Sequence, residues 1–258
     1  MGRIAIFAAM DWECRPVLHN LRDVRRRPDA AAEMWLGRSA RAEEVWVVKT
    51  GLGERRATEK ARRVAEASRF DLFLSTGCAG ALAPDLRPGD LVIAPRVVRL
   101  GDGESFASST LDRDRALRLA GEAGLAARAG DLACSETALA TPEVKRAAAA
   151  RTQAIAVEME GTGIAAVASA SGIRFLAVRS ILDDAQSPVE GGGSIIHPEL
   201  GRIRPLALIA YLARRPGALR GFAAARRMMN AAQQSLEQFF AVFLAAPEAA
   251  GRGNQDLG

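Results

Sequence analysis

Two stretches of the 258-residue chain put carboxylates where core packing does not ask for them. Val157-Glu158-Met159-Glu160-Gly161 follows an apolar run and opens an alanine-rich helical pattern. Val178-Arg179-Ser180-Ile181-Leu182-Asp183-Asp184 ends the next apolar run. A carboxylate leaving a buried strand, beside another at a helix start, is partly desolvated, and a like charge nearby raises the pKa of one of the two. This yields a carboxylic acid still protonated near neutral pH, which general acid catalysis needs. Surface acids are the plainer account; the apolar flanks weigh for chemistry. A third carboxylate cluster, Ala8-Ala9-Met10-Asp11-Trp12-Glu13, follows the first strand-like run. There the dipole of a helix N-terminus explains Asp11 and Glu13 without any chemistry. Ser75-Thr76-Gly77-Cys78-Ala79-Gly80-Ala81-Leu82 completes the set. Gly77 and Gly80 let backbone approach a ligand closely, although a tight turn explains them almost as well. Their spacing fits neither GxxxxGK[ST] nor GxGxxG.

Other chemistries are disfavoured. Cys14, Cys78 and Cys134 are widely spaced, no CxxC pair occurs, and His19 and His197 lack partners at ligand spacing. Neither a metal nor a cofactor is expected. The formal net charge of +5 comes almost wholly from arginine, since Lys49, Lys60 and Lys145 are the only lysines. A nucleic-acid partner would need a basic face interleaved with aromatics, and none is visible. Arg25, Arg26 and Arg27 read instead as a solvated turn. The first strand-like run follows no signal-peptide pattern, and no uncharged stretch is long enough for a membrane span, so the cytoplasm is the expected address.

The elements that must position these residues alternate between strand and helix. Apolar, β-branched runs at 3–9, 44–49, 71–75, 90–95, 131–135, 154–157 and 174–181 predict strands. Helical periodicity predicts helices at 11–22, 54–69, 111–124, 142–150, 159–171 and 203–245, the last interrupted at Pro216-Gly217. Such alternation implies a three-layer α/β/α fold, with a mixed central sheet flanked by helices on both faces. One domain over 1–246 is expected, with a helical extension from about 203 and a disordered tail at 247–258. The candidate residues fall just past predicted strand ends, where open α/β sheets place ligands.

Taken in order, these segments resemble the nucleoside phosphorylase/nucleosidase superfamily, and most of all its methylthioadenosine/S-adenosylhomocysteine nucleosidases. The matching pieces are 4–17, 50–64, 71–95 and especially 154–185, with Ala-Ile-Ala-Val-Glu-Met-Glu-Gly and Phe-Leu-Ala-Val-Arg-Ser-Ile-Leu-Asp as the specific strings. The resemblance implies cleavage of a purine N-glycosidic bond. It makes Asp183 the acid that protonates the leaving base and Glu13 the base for the attacking water. It puts Glu160 on the ribose hydroxyls, Met159 in the sugar pocket, and Cys78 facing the sugar or the nucleophile from the Gly77 loop, with Ser75, Gly77 and Leu139 also against the substrate. A small-molecule nucleoside partner and a homo-oligomer also follow from the resemblance.

Departures from the family pattern refine the expectation. Phosphorolytic members carry an arginine where this chain has Ser75, and their GDPxR-type loop is missing, so hydrolysis is favoured. Phosphorolysis, with Arg15 or Arg55 reaching phosphate, and a non-catalytic nucleoside binder stand as alternatives. The aromatic that stacks on adenine is absent from Ser135-Glu136-Thr137-Ala138-Leu139, which leaves Leu139 at that place, and Leu182 replaces a serine beside the acid. Residues 201–236 hold seven arginines and no acid. Arg202-x-Arg204-Pro205 and 212–219 resemble the hopanoid-associated phosphorylase branch, which implies a lipid-linked nucleoside and peripheral membrane contact. A helical hairpin closing the fold or a subunit interface accounts for the same residues equally well.

Overall fold

The structure is a computed structural model and describes residues 2–27, 33–186 and 218–247. Its elements are β1 (Gly2–Ala8), α1 (Asp11–Leu18), β2 (Arg22–Arg26), β3 (Met34–Arg38), β4 (Ala42–Lys49), α2 (Glu54–Ala67) and β5 (Leu72–Ala81). There follow β6 (Leu91–Ala94), β7 (Arg96–Arg99), β8 (Ser105–Ala107), α3 (Thr110–Glu122), β9 (Ala127–Ala129) and β10 (Leu132–Cys134). The chain continues through α4 (Pro142–Thr152), β11 (Ala156–Glu158), α5 (Gly161–Ala170), β12 (Arg174–Asp183) and α6 (Ala218–Ala245).

All described strands join one mixed sheet, as expected. β1 runs parallel to β4 and β5, and β5 runs parallel to β12. β6 pairs antiparallel with β12, and β11 antiparallel with the end of β5. Alternation along β1 shows the layering. Ala5 and Phe7 pack on one side with Ala57, Ala61 and Val64 of α2 and Ile164 of α5. Ile4, Ile6 and Ala8 pack on the other with Val17 of α1, Ala116 of α3, and Phe239, Phe240 and Phe243 of α6. Period-two strands thus bury both faces, which requires helices on both. Few aromatics suffice because they meet: the Phe7 and Phe73 rings lie 4.8 Å apart, edge to face.

The helix α6 belongs to this core. Arg41, buried and paired with Asp112, lies 4.1 Å from the Phe243 ring, and its amide donates to the Leu244 carbonyl. On the same helix Arg226 and Arg227 are exposed. The expected start of the extension at 203–217 and the tail at 248–258 lie outside the described residues.

Three sequence expectations need correction. Arg25 and Arg26 sit not in a turn but in β2, whose five residues are all exposed, so it shows none of the alternation that marks a half-buried strand. The short strands β3, β7, β8 and β9 also went unread, because three to five residues carry too little periodicity. The expected loop after residue 75 is strand as well. β5 continues to Ala81 because β12 pairs with it from Leu72 as far as Gly80. The site therefore stands on rigid backbone.

Candidate active site

The floor of the site is a buried ion pair between β11 and β12, the two strands that pair with β5. Arg179 of β12 and Glu158 of β11 expose 1% and 0% of their side chains, and Arg179 Nη2 meets Glu158 Oε2. The same nitrogen donates to Ser75 Oγ at 2.8 Å, and Nη1 donates to the Val178 carbonyl. Glu158 also accepts the amides of Glu160 and Gly161, at 3.0 and 2.8–2.9 Å. It thereby ties down the start of α5, where a negative charge is favourable. Ser75 is a correction: expected on the substrate, it is fully buried and serves as the acceptor for Arg179.

Glu13 stands on this floor, 3% exposed. Its Oε1 accepts the Cys78 amide at 2.8 Å, and its Oε2 accepts the Ala9 and Met10 amides at 3.1 and 3.0 Å. Three donors from two elements fix the carboxyl, far more than a dipole-favouring surface acid would need. Gly77 makes room for it. Its φ is +139°, and a Cβ there would lie 2.7 Å from Glu13 Oε1. Burial pushes the Glu13 pKa above its ordinary value against the pull of the amides and Arg179. Cys78, partly buried, has its thiol pushed well up by burial and by Glu13, so it is a protonated neighbour rather than a thiolate nucleophile.

Glu160 occupies the N-cap position of α5, 8% exposed, and its Oε1 turns away to accept the Gly53 amide at 2.8 Å. That contact needs α2 and α5 to pack closely. Gly163 allows it, since a Cβ there would lie 2.8 Å from the Glu54 carbonyl. Burial and the Glu158 charge raise the Glu160 pKa to about 8. Met159, half-buried, lies in the bend between β11 and α5. An open groove of about 660 Å³, lined by Gly53, Arg55, Arg56, Thr58 and Glu136 among others, begins at the same Gly53.

Asp183 is placed by a β-bulge. The β12–β5 register slips between Ile181 and Asp183, which sets Asp183 beside Gly80, and a Cβ on Gly80 would lie 3.3 Å from both carboxylate oxygens. Its side chain keeps 20% exposure and meets the ammonium of Lys145, whose side chain is 1% exposed. Burial raises the Asp183 pKa, and the Lys145 contact pulls against it. Leu139 packs with Leu82, Ala148 and Val157 in a small apolar cluster, and Val157 also reaches Gly80. The structure therefore gathers Glu13, Cys78 and Gly77 at one point of β5 and Asp183 three residues on. Glu160 joins through Arg179 and Glu158.

Sequence reasoning missed Arg179 and Lys145 as parts of this site, and singled out the stretch with Glu158 without giving that residue a role. Arg179 carried a signal, a charge inside an otherwise apolar strand. Lys145 carried none, because its partner is 38 residues away. Arg15 and Arg55, the alternative phosphate ligands, are exposed.

The phosphorylase superfamily model matches residues 3–200. A 5′-methylthioadenosine/S-adenosylhomocysteine nucleosidase of Marinomonas sp. (strain MWYL1) is 26% identical over 202 residues, covering 72% of this chain and 87% of the relative. A solved futalosine hydrolase mutant of Helicobacter pylori strain 26695 superposes with a TM-score of 0.65 at 25% identity, covering 70% of this chain and 89% of that one. The fold extends to a Neisseria meningitidis 5′-methylthioadenosine/S-adenosylhomocysteine nucleosidase in complex with methylthio-immucillin-A. There the TM-score is 0.73 at 18% identity, over 94% of this chain and 98% of the other.

Proposed function

The chain belongs to the phosphorylase superfamily, and from that premise we propose that it hydrolyses the N-glycosidic bond of an adenine nucleoside. One observation carries the reading: two carboxyls anchored at separate points of one strand. Glu13 is fixed against Gly77 and Asp183 against Gly80. Three residues of strand span at most about 10 Å, room for a sugar and a water between an acid and a base.

Asp183 gives a proton to the base as the carbon–nitrogen bond breaks and its electron pair moves onto the purine. Glu13 takes a proton from the water that adds to the sugar carbon. Glu160, with Oε1 held by Gly53, binds the ribose hydroxyls beside Met159 and Cys78. Hydrolysis is favoured over phosphorolysis because Arg179, the cation under the site, is committed to Glu158 and Ser75. The names of the similar nucleosidase and futalosine hydrolase support the same chemistry.

The test is incubation with adenosine, 5′-methylthioadenosine and S-adenosylhomocysteine in phosphate-free buffer. Adenine and the free sugar are the expected products, and Glu13→Gln should slow their release by about 10²-fold. A sugar 1-phosphate, formed only when phosphate is added, would assign the protein to the phosphorolytic branch.

The C-terminal resemblance supports a lipid tail on the 5′ side of the sugar, in a cytoplasmic homo-oligomer touching a membrane surface. The exposed Arg226 and Arg227 of α6 fit that placement. Each basic side chain near an anionic surface contributes on the order of 1 kcal/mol. Co-sedimentation with anionic vesicles should then be salt-sensitive. Protein left in the supernatant at low salt would favour a soluble nucleoside instead.

A further inference from the structure

Lys145 is the one charged side chain of α4 that is buried, and it is turned toward the end of β12. Its ammonium donates to Asp183 Oδ2 and, at 2.6 Å, to the Asp184 carbonyl. Its side chain is 1% exposed and that of Asp183 20%, so Asp183 is the member of the pair that solvent reaches. The groups facing Asp183 are Lys145 from α4, the Cys78 thiol from β5, and Asp184 next along the chain. Of these, only Lys145 brings a positive charge and proton-bearing nitrogen into hydrogen-bond contact with the Asp183 carboxylate.

We propose that Lys145 is the proton source behind Asp183: the buried ammonium passes a proton to the carboxylate as that carboxylate protonates the leaving purine. The inference rests on the nucleosidase reading above. The step balances. The carbon–nitrogen bond breaks with its electron pair going to the base, one proton leaves Nζ, and one arrives on the purine nitrogen. Lys145 is left neutral and Glu13 holds the proton from water, and exchange with solvent restores both. Lys145 acts through Asp183, so it is a positioning and proton-supplying residue rather than one that touches substrate. The plainer alternative is that the ion pair only fastens α4 to β12.

The experiment uses the full chain and whichever of adenosine, 5′-methylthioadenosine and S-adenosylhomocysteine the wild type cleaves fastest. Rates are followed from about pH 5 to about pH 8.5 for wild type and Lys145→Met. Without the ammonium, the Asp183 carboxyl is no longer held down in pKa by Lys145, but it must take its proton from solvent, and that supply fails once the pH passes its pKa. The variant should therefore lose about 10²-fold in kcat/KM at the alkaline end and only a few-fold at the acid end. The N7-methylated cation of the same nucleoside needs no protonation, so on it the variant should stay within a few-fold of wild type at both ends. Lys145→Gln, which keeps a hydrogen-bond donor without the charge, should show the same pattern and carries the test if the methionine variant does not fold. Equal losses at every pH and on both substrates, or no loss at all, would overturn the proton-source role in favour of the fastening one. A wild-type protein that frees no adenine at any pH overturns the functional reading and this inference together.

Discussion

Asp183→Asn should lower kcat by about 10²–10⁴-fold, equivalent to about 2.7–5.4 kcal/mol of barrier, with the fold intact. The magnitude follows from what the substitution removes. An asparagine fills the same space beside Gly80 and can still accept from Lys145 through its carbonyl oxygen, but it cannot carry a proton to the base. KM should change little, because the lost interaction belongs to the transition state. Asp184→Asn is the control. The Asp184 side chain accepts from the Gln186 amide at 2.9 Å, and the substitution leaves in place the backbone carbonyl that accepts from Lys145. That variant should stay within about threefold of wild type. A folded Asp183→Asn enzyme with wild-type turnover would remove Asp183 from the mechanism.

The mixed sheet was legible because its central strands are apolar runs closed by polar or small residues, and because buried strands have no other way to be written. Glu160 and Asp183 were legible for the opposite reason, since they stand where a run that should stay apolar does not, whereas Glu13 read as a dipole-favouring acid and took its role from the resemblance alone. The compensations for those charges were not legible. Arg179 looked like one more residue of a matching string, yet it is the buried cation against which Glu158, Glu160 and Glu13 are all set. Lys145 gave no sign of its burial, since the alanines of α4 conceal which face is buried. The glycine run reads in sequence as backbone approaching a ligand or as a tight turn, and neither reading shows what Gly77 and Gly80 do. Their role is to leave space for side chains arriving from α1 and β12 while the strand continues, and only the pairing with β12 reveals it.

Arg179→Met should destabilise the protein by about 3–5 kcal/mol, the usual cost of removing one partner from a buried ion pair. Methionine replaces the aliphatic stem, so the loss is of charge and hydrogen bonds more than of volume. Glu158 keeps its amide donors but loses the guanidinium, in surroundings that expose none of its side chain, and Ser75 loses its donor. The loss should also depend on pH. Glu13 and Glu160 both have pKa values raised by burial, against which the Cys78 and Gly53 amides and then the Arg179 charge pull. A carboxyl whose pKa is higher folded than unfolded favours folding at low pH and loses that contribution as pH rises through the folded value. For Glu160 the window runs from its ordinary 4.5 to about 8. Removing Arg179 raises both folded values further, so the deficit against wild type should be larger near pH 8 than near pH 5. Urea unfolding midpoints at the two pH values measure it directly. A deficit under about 0.5 kcal/mol would show that the ion pair does not hold the site together. One that grows toward acid would mean that Arg179 is not the charge restraining these two carboxyls.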